Sequence, residues 1–92
     1  MMGYIRYEVV NTSGMKTLTA LSGFWFCEDA ATPAPATVNL RDGGSSGPII
    51  ARIKLAAGEA KGLSFARPIR LISGALHVQV TSGTIQGAVY GE

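Results

Sequence analysis

The chain is expected to be all-β: a small antiparallel β-sandwich or jelly-roll-like barrel of about seven short strands, in one domain over residues 1–92. Three observations predict this. Apolar and polar residues alternate in short runs, as in Thr37–Arg41, Ile49–Leu55 and Leu76–Val80, the two-residue period of half-buried strands. Clusters of Gly, Pro, Ser, Asn and Asp separate those runs. No stretch makes a convincing amphipathic helix.

Taken in order, Tyr4–Val10 alternates Ile5, Tyr7 and Val9 against Tyr4, Arg6 and Glu8 and reads as a strand, with Asn11–Gly14 as a turn. In the next segment Leu18, Leu21, Phe24 and Trp25 fit helical spacing, but Gly23 interrupts them. Phe24-Trp25-Phe26-Cys27 suits a buried strand better, so a strand is read from about Leu18 to Glu28. Pro33 and Pro35 keep Ala30–Ala36 out of any ladder. Thr37–Arg41 then turns Val38 and Leu40 inward. Asp42–Pro48 is a flexible loop, and Ile49, Ala51, Ile53 and Leu55 face inward with Arg52 and Lys54 outward. Ala56–Glu59 is a turn, Lys61–Phe65 a strand with Leu63 and Phe65 inward, and Arg67–Ile72 extended. The chain is expected to end in a hairpin over residues 75–90 with Ser82-Gly83 as its loop. That register sets Val80 opposite Ile85, Leu76 opposite Val89 and His77 opposite Ala88, so one face is apolar and the other polar.

Hydrophobic residues make up 47% of the 92 residues and charged ones only 15%, against about 25% in an average domain. A domain this small buries only roughly 60–65% of its unfolded surface. The single cysteine, Cys27, excludes an internal disulfide and is too few for a cysteine zinc site. Excess apolar surface without a staple predicts a homo-oligomer. The net charge of +2 is spread along the chain, unlike the dense basic footprint of a nucleic-acid binder, so no nucleic acid is expected. No apolar run reaches the ~20 residues of a membrane span. Met15–Cys27 imitates a lipoprotein signal, but fourteen residues precede it and bulky Phe26 stands before the cysteine. A cytoplasmic product with a buried, inert Cys27 is the expectation.

No enzyme chemistry, cofactor or metal site is predicted. His77 is the lone histidine and nothing brings it to Ser73, Ser82 or Asp42, so a hydrolase reading is weak. The glycine-rich loop from Asp42 lacks the Gly-Lys-Ser/Thr of a phosphate cradle. Glu28-Asp29 reads as a solvated strand end. Trp25, with Tyr4, Tyr7 and Tyr90 clustering if the chain ends pair, keeps a carbohydrate-binding module open as the alternative function, although core or subunit-interface packing explains these residues too.

The segments ATVNLRDGGSSGPIIARIKLAAGE (Ala36–Glu59) and FARPIRLISGALHVQVTSGTIQGAVY (Phe65–Tyr90) resemble small uncharacterised β-sandwich proteins of tailed bacteriophages and prophages. The shared features are an RDG-type loop, a Gly-Pro before an apolar strand, and an ending with Ser73, Gly74, Leu76, Val78, Val80, Ser82, Gly83, Thr84, Gly87 and Val89. The resemblance implies a virion structural protein, made in the host cytoplasm: a capsid decoration protein or a head–tail or tail accessory. Its partners would be copies of itself and other virion proteins. On this reading Phe24, Trp25 and Phe26 are candidates for core or interface, and Asp42, Ser45 and Ser46 for contact with a neighbour.

Overall fold

A computed structural model describes residues 6–92. Eight strands are present: β1 (Arg6–Val10), β2 (Gly14–Lys16), β3 (Ala20–Glu28), β4 (Ala36–Asp42), β5 (Ile49–Leu55), β6 (Ala60–Arg70), β7 (Leu76–Ser82) and β8 (Ile85–Gly91). Tyr4 and Ile5, the start of the first expected strand, lie outside the described residues. The strand beyond the expected count is the short β2, which follows the Asn11–Ser13 turn. The residues expected as separate extended pieces, Lys61–Phe65 and Arg67–Ile72, contribute to the single long β6.

The strands form two four-stranded antiparallel sheets, ordered β1-β8-β3-β6 and β2-β7-β4-β5. Strand β1 therefore pairs with β8, β2 with β7, β3 with β6 and β4 with β5. This is one long double ribbon, doubled back at the loop between β4 and β5 and rolled so that alternate pairs fall in opposite sheets. That topology is a jelly roll.

Two-residue alternation fills the space between the sheets. Leu21, Phe24, Phe26, Ile85 and Val89 of the first sheet meet Val38, Leu40, Ile53, Leu76 and Val78 of the second, and all are buried. Phe26 has no exposed surface, and its ring stacks on Phe24 with centroids 5.6 Å apart. Phe65 tilts against the other side of Phe24 at 6.2 Å.

The expected closing hairpin is not formed. Strand β7 pairs with β2 and β4, whereas β8 pairs with β1 and β3 in the opposite sheet. Ser82-Gly83-Thr84 is an arch across the edge of the core, and β7 and β8 face each other through it. Alternation alone does not distinguish the two arrangements, because Leu76, Val78, Ile85 and Val89 point inward in both. The arch gives each strand a backbone partner on both sides. Its geometry depends on Gly83, which has φ of 78° and lies so close to the segment before β4 that a Cβ would stand 2.6 Å from Ala36 Cβ and from the Pro35 carbonyl oxygen.

Two irregularities also change the expected facing. A bulge between Leu40 and Arg41 sets Ile49 opposite Arg41 on the outer face, leaving it 39% exposed, while Ile50 packs on the core. In the β3–β6 ladder, Ser22 alone stands between pairs that are separated on β6 by Phe65, Ala66, Arg67 and Pro68. Proline is tolerated there because β6 is the last strand of its sheet.

Candidate functional site: the aromatic outer face of the first sheet

Pairing of the two chain ends builds a plane of aromatic rings on the outer face of the first sheet. Register places Tyr7 of β1 opposite Tyr90 of β8, Val9 opposite Ala88, and Ala88 opposite Trp25 of β3. The two tyrosine rings lie nearly parallel, at 13°, with centroids 6.4 Å apart. Trp25 Nε1 donates to the Tyr7 hydroxyl oxygen at 2.7 Å, and the Tyr90 hydroxyl shares a 2.7 Å hydrogen bond with Ser64 Oγ of β6.

A glycine makes room for this tiling. Gly23 is paired with Tyr90 on one side and with Ser64 on the other, so the Tyr90 ring crosses β3 where there is no side chain. A Cβ at Gly23 would run into the Tyr90 hydroxyl and stand 2.6 Å from the Leu63 carbonyl oxygen. Ala88 is fully covered, yet Tyr7 is 55%, Val9 58% and Trp25 38% exposed. The result is a pre-set apolar surface whose polar tips are already hydrogen-bonded, Trp25 to Tyr7 and Tyr90 to Ser64.

Of the aromatic candidates, Trp25 alone faces outward, while Phe24 and Phe26 turn into the core. Tyr7 and Tyr90 meet as chain-end pairing predicts. Tyr4 lies outside the described residues. Cys27, expected to be buried, is half-buried on this same outer face, opposite Ala60 and Gln86. It follows Phe26 by one residue, and alternation turns it away from the core.

The loop candidates lie elsewhere. Ser45 and Ser46 are exposed between β4 and β5. The Asp42 carboxylate is turned onto the bend before β7, accepting from Ile72 N at 3.0 Å, Ser73 N at 3.4 Å and Ser73 Oγ at 2.9 Å. The structure therefore does not bring Asp42 to Trp25, which belongs to the other sheet. His77 lies on the outer face of the second sheet, paired with Met15 and Arg41, and not opposite Ala88. Its Nδ1 is 3.3 Å from Met15 Sδ.

Glu28 departs from its expected place as a solvated strand end. The residue is 8% exposed, and its carboxylate accepts from Ala30 N at 2.5 Å and Gly58 N at 2.7 Å, tying two loops to the end of β3. The N–H of Ala30, then that of Gly58, holds this carboxyl below its ordinary value of 4.5, against the opposing pull of burial. The Ile72 N–H, with Ser73 contributing less, lowers Asp42 below 3.8, again against burial. Both folded values are depressed. The stabilisation is therefore complete above the ordinary values and is lost as pH falls through the folded ones. Thermal melts should hold steady from neutral pH down to about 5 and decline in more acid solution. Glu28→Gln and Asp42→Asn should each lower the neutral melting temperature and flatten the acid limb; an unchanged acid limb in the double variant would refute this assignment.

Comparison with family models, with curated proteins and with solved structures returns no match for this chain.

Proposed function

We propose that the chain is a structural subunit of a tailed-phage virion, a capsid decoration protein or a head–tail or tail accessory, which works by assembly. The observation that carries this reading is the exposed plane of Tyr7, Val9 and Trp25 on a sheet whose other face already covers the core. Contiguous apolar surface of that kind is characteristic of a contact face, and its contact here is with further copies of the chain. The resemblance of Ala36–Tyr90 to phage proteins supplies the setting. Jelly rolls serve in viral capsids, which is an analogy of fold alone.

The same rings favour a second reading, a carbohydrate-binding module, because lectins also use this fold. Sugar sites combine stacking rings with free polar groups that engage hydroxyls. Here Trp25 Nε1 and the Tyr7 hydroxyl are bonded to each other and Tyr90 to Ser64, which favours a protein contact over a glycan.

Quantitative proteomics on density-purified phage particles tests the virion reading. The chain is expected in intact particles. A copy number comparable to the major capsid protein would mean decoration, and about a dozen or fewer a ring at one vertex. Absence from intact particles would refute the reading. Quenching of Trp25 emission by a glycan panel would then decide for the carbohydrate module.

A further inference from the structure

The side of the sandwich opposite β1 and β2 is open. There β5 ends the second sheet and β6 the first, each paired on one side only among the described residues. Between them runs a groove of about 510 Å³ with Phe24, Ile53 and Leu63 on its walls and Arg52, Lys54 and Lys61 at its rim. Leu63 is paired with the core-facing Phe24, yet it is 52% exposed because no strand covers it.

The backbone edge of β5 faces this side, and among the described residues no strand pairs with it. The Lys54 carbonyl points into the opening, where Lys61 Nζ donates to it at 2.8 Å. In an antiparallel strand the N–H and C=O of one residue point the same way and alternate from residue to residue. Arg52 and Lys54 therefore both present their backbone groups to the opening, while their side chains stand on the outer face.

That face is short of acceptors. Arg52 Nε donates to Asn39 Oδ1 at 3.0 Å, Asn39 Nδ2 to Gln79 Oε1 at 3.2 Å, and Arg41 Nε to the same Gln79 oxygen at 3.1 Å. The amide oxygens of this face are thus already engaged by its own donors. The nearby carboxylate is that of Glu59, a solvent-exposed partner 3.8 Å from Lys61.

We propose that this side receives an extended segment of a partner protein as a ninth strand beside β5, a segment in which acidic and apolar residues alternate. Its backbone pairs with Arg52 and Lys54. Its acidic side chains lie on the outer face against those two cations, and its apolar side chains enter the groove against Phe24, Ile53 and Leu63. The spacing agrees, because side chains two apart on a strand are about 6.8 Å apart on both sides of the pairing. Such strand addition takes affinity from the backbone and specificity from alternate side chains. A second copy does not supply the segment: the acidic residues of this chain are Glu8, Glu28, Asp29, Asp42, Glu59 and Glu92, and no two of them stand two apart. The inference rests on the assembly reading and names the kind of partner it requires.

The test is an amide-resolved NMR titration of the whole chain with a capped peptide Thr-Glu-Val-Glu-Val-Glu-Thr. A control peptide of the same composition carries its glutamates and valines in blocks. Saturable shift changes are expected at Ala51–Leu55 and Gly62–Leu63 with the alternating peptide, with the block peptide binding about tenfold more weakly or worse. Among the described residues the Lys54 side chain makes no hydrogen bond or ion pair, so Lys54→Glu should weaken binding by about tenfold, and Arg52→Glu with Lys54→Glu further still. No binding at millimolar peptide, equal binding of the two peptides, shifts confined to another face, or indifference to Lys54→Glu would each overturn the proposal. None of these results bears on self-association, so the partner inference fails separately from the assembly reading.

Discussion

Replacing Phe26 by alanine is expected to cost about 3–5 kcal/mol of folding stability, from lost burial and from the cavity that remains. The ring has no exposed surface, stacks on Phe24 and lies between the sheets, so its neighbours are fixed by two ladders and have little freedom to close the gap. Small domains hold only about 5–15 kcal/mol in total, which makes this a large fraction. In urea the midpoint should fall by at least about 1 M. Leu63→Ala serves as the control: that side chain is 52% exposed, and its loss should cost less than about 1 kcal/mol, since little burial is forfeited. Similar costs for the two substitutions would contradict the placement of the core.

Much of the architecture is legible in the sequence. Alternation identifies the inward residues of β4 and β7 and most of those of β5. Turn residues and prolines delimit the strands, and short alternating runs with no convincing helix point to a sandwich or barrel. The choice of pairing partner is less legible. Leu76–Val80 and Ile85–Val89 carry the same inward pattern in a hairpin and in an arch. The difference arises from partners at the far end of the chain, β1 and β2, which local pattern does not report. Ile49 shows a related limit, since one bulged residue exchanges the faces on either side of it. Trp25 stands between two apolar neighbours in a run with no polar residue to mark its face, and the burial of Phe24 and Phe26 turns it outward. The meeting of Tyr7 with Tyr90 follows once the chain ends pair, and that pairing is itself of the long-range kind that local pattern does not report. The roles of Glu28 and Asp42 are not legible either, because each acts on backbone N–H groups that approach only after the loops close. No periodicity in side-chain type announces that.

The second large effect concerns assembly. Val9 is 58% exposed at the rim of the aromatic plane and lies opposite fully covered Ala88. An arginine at this position can extend into water in the isolated subunit. In a packed interface the same charge would be desolvated without a partner, at a cost of several kcal/mol. Val9→Arg should therefore leave folding nearly unchanged while weakening association by at least about a hundredfold, the equivalent of about 2.7 kcal/mol.

Sedimentation velocity of the purified chain and of Val9→Arg, across micromolar concentrations, tests the assembly claim most directly. The account predicts a discrete multimer for the chain and a species near the 9.6 kDa subunit mass for Val9→Arg, with both giving the same urea midpoint. A chain that sediments as a monomer throughout, or a multimer that Val9→Arg leaves intact, would contradict it.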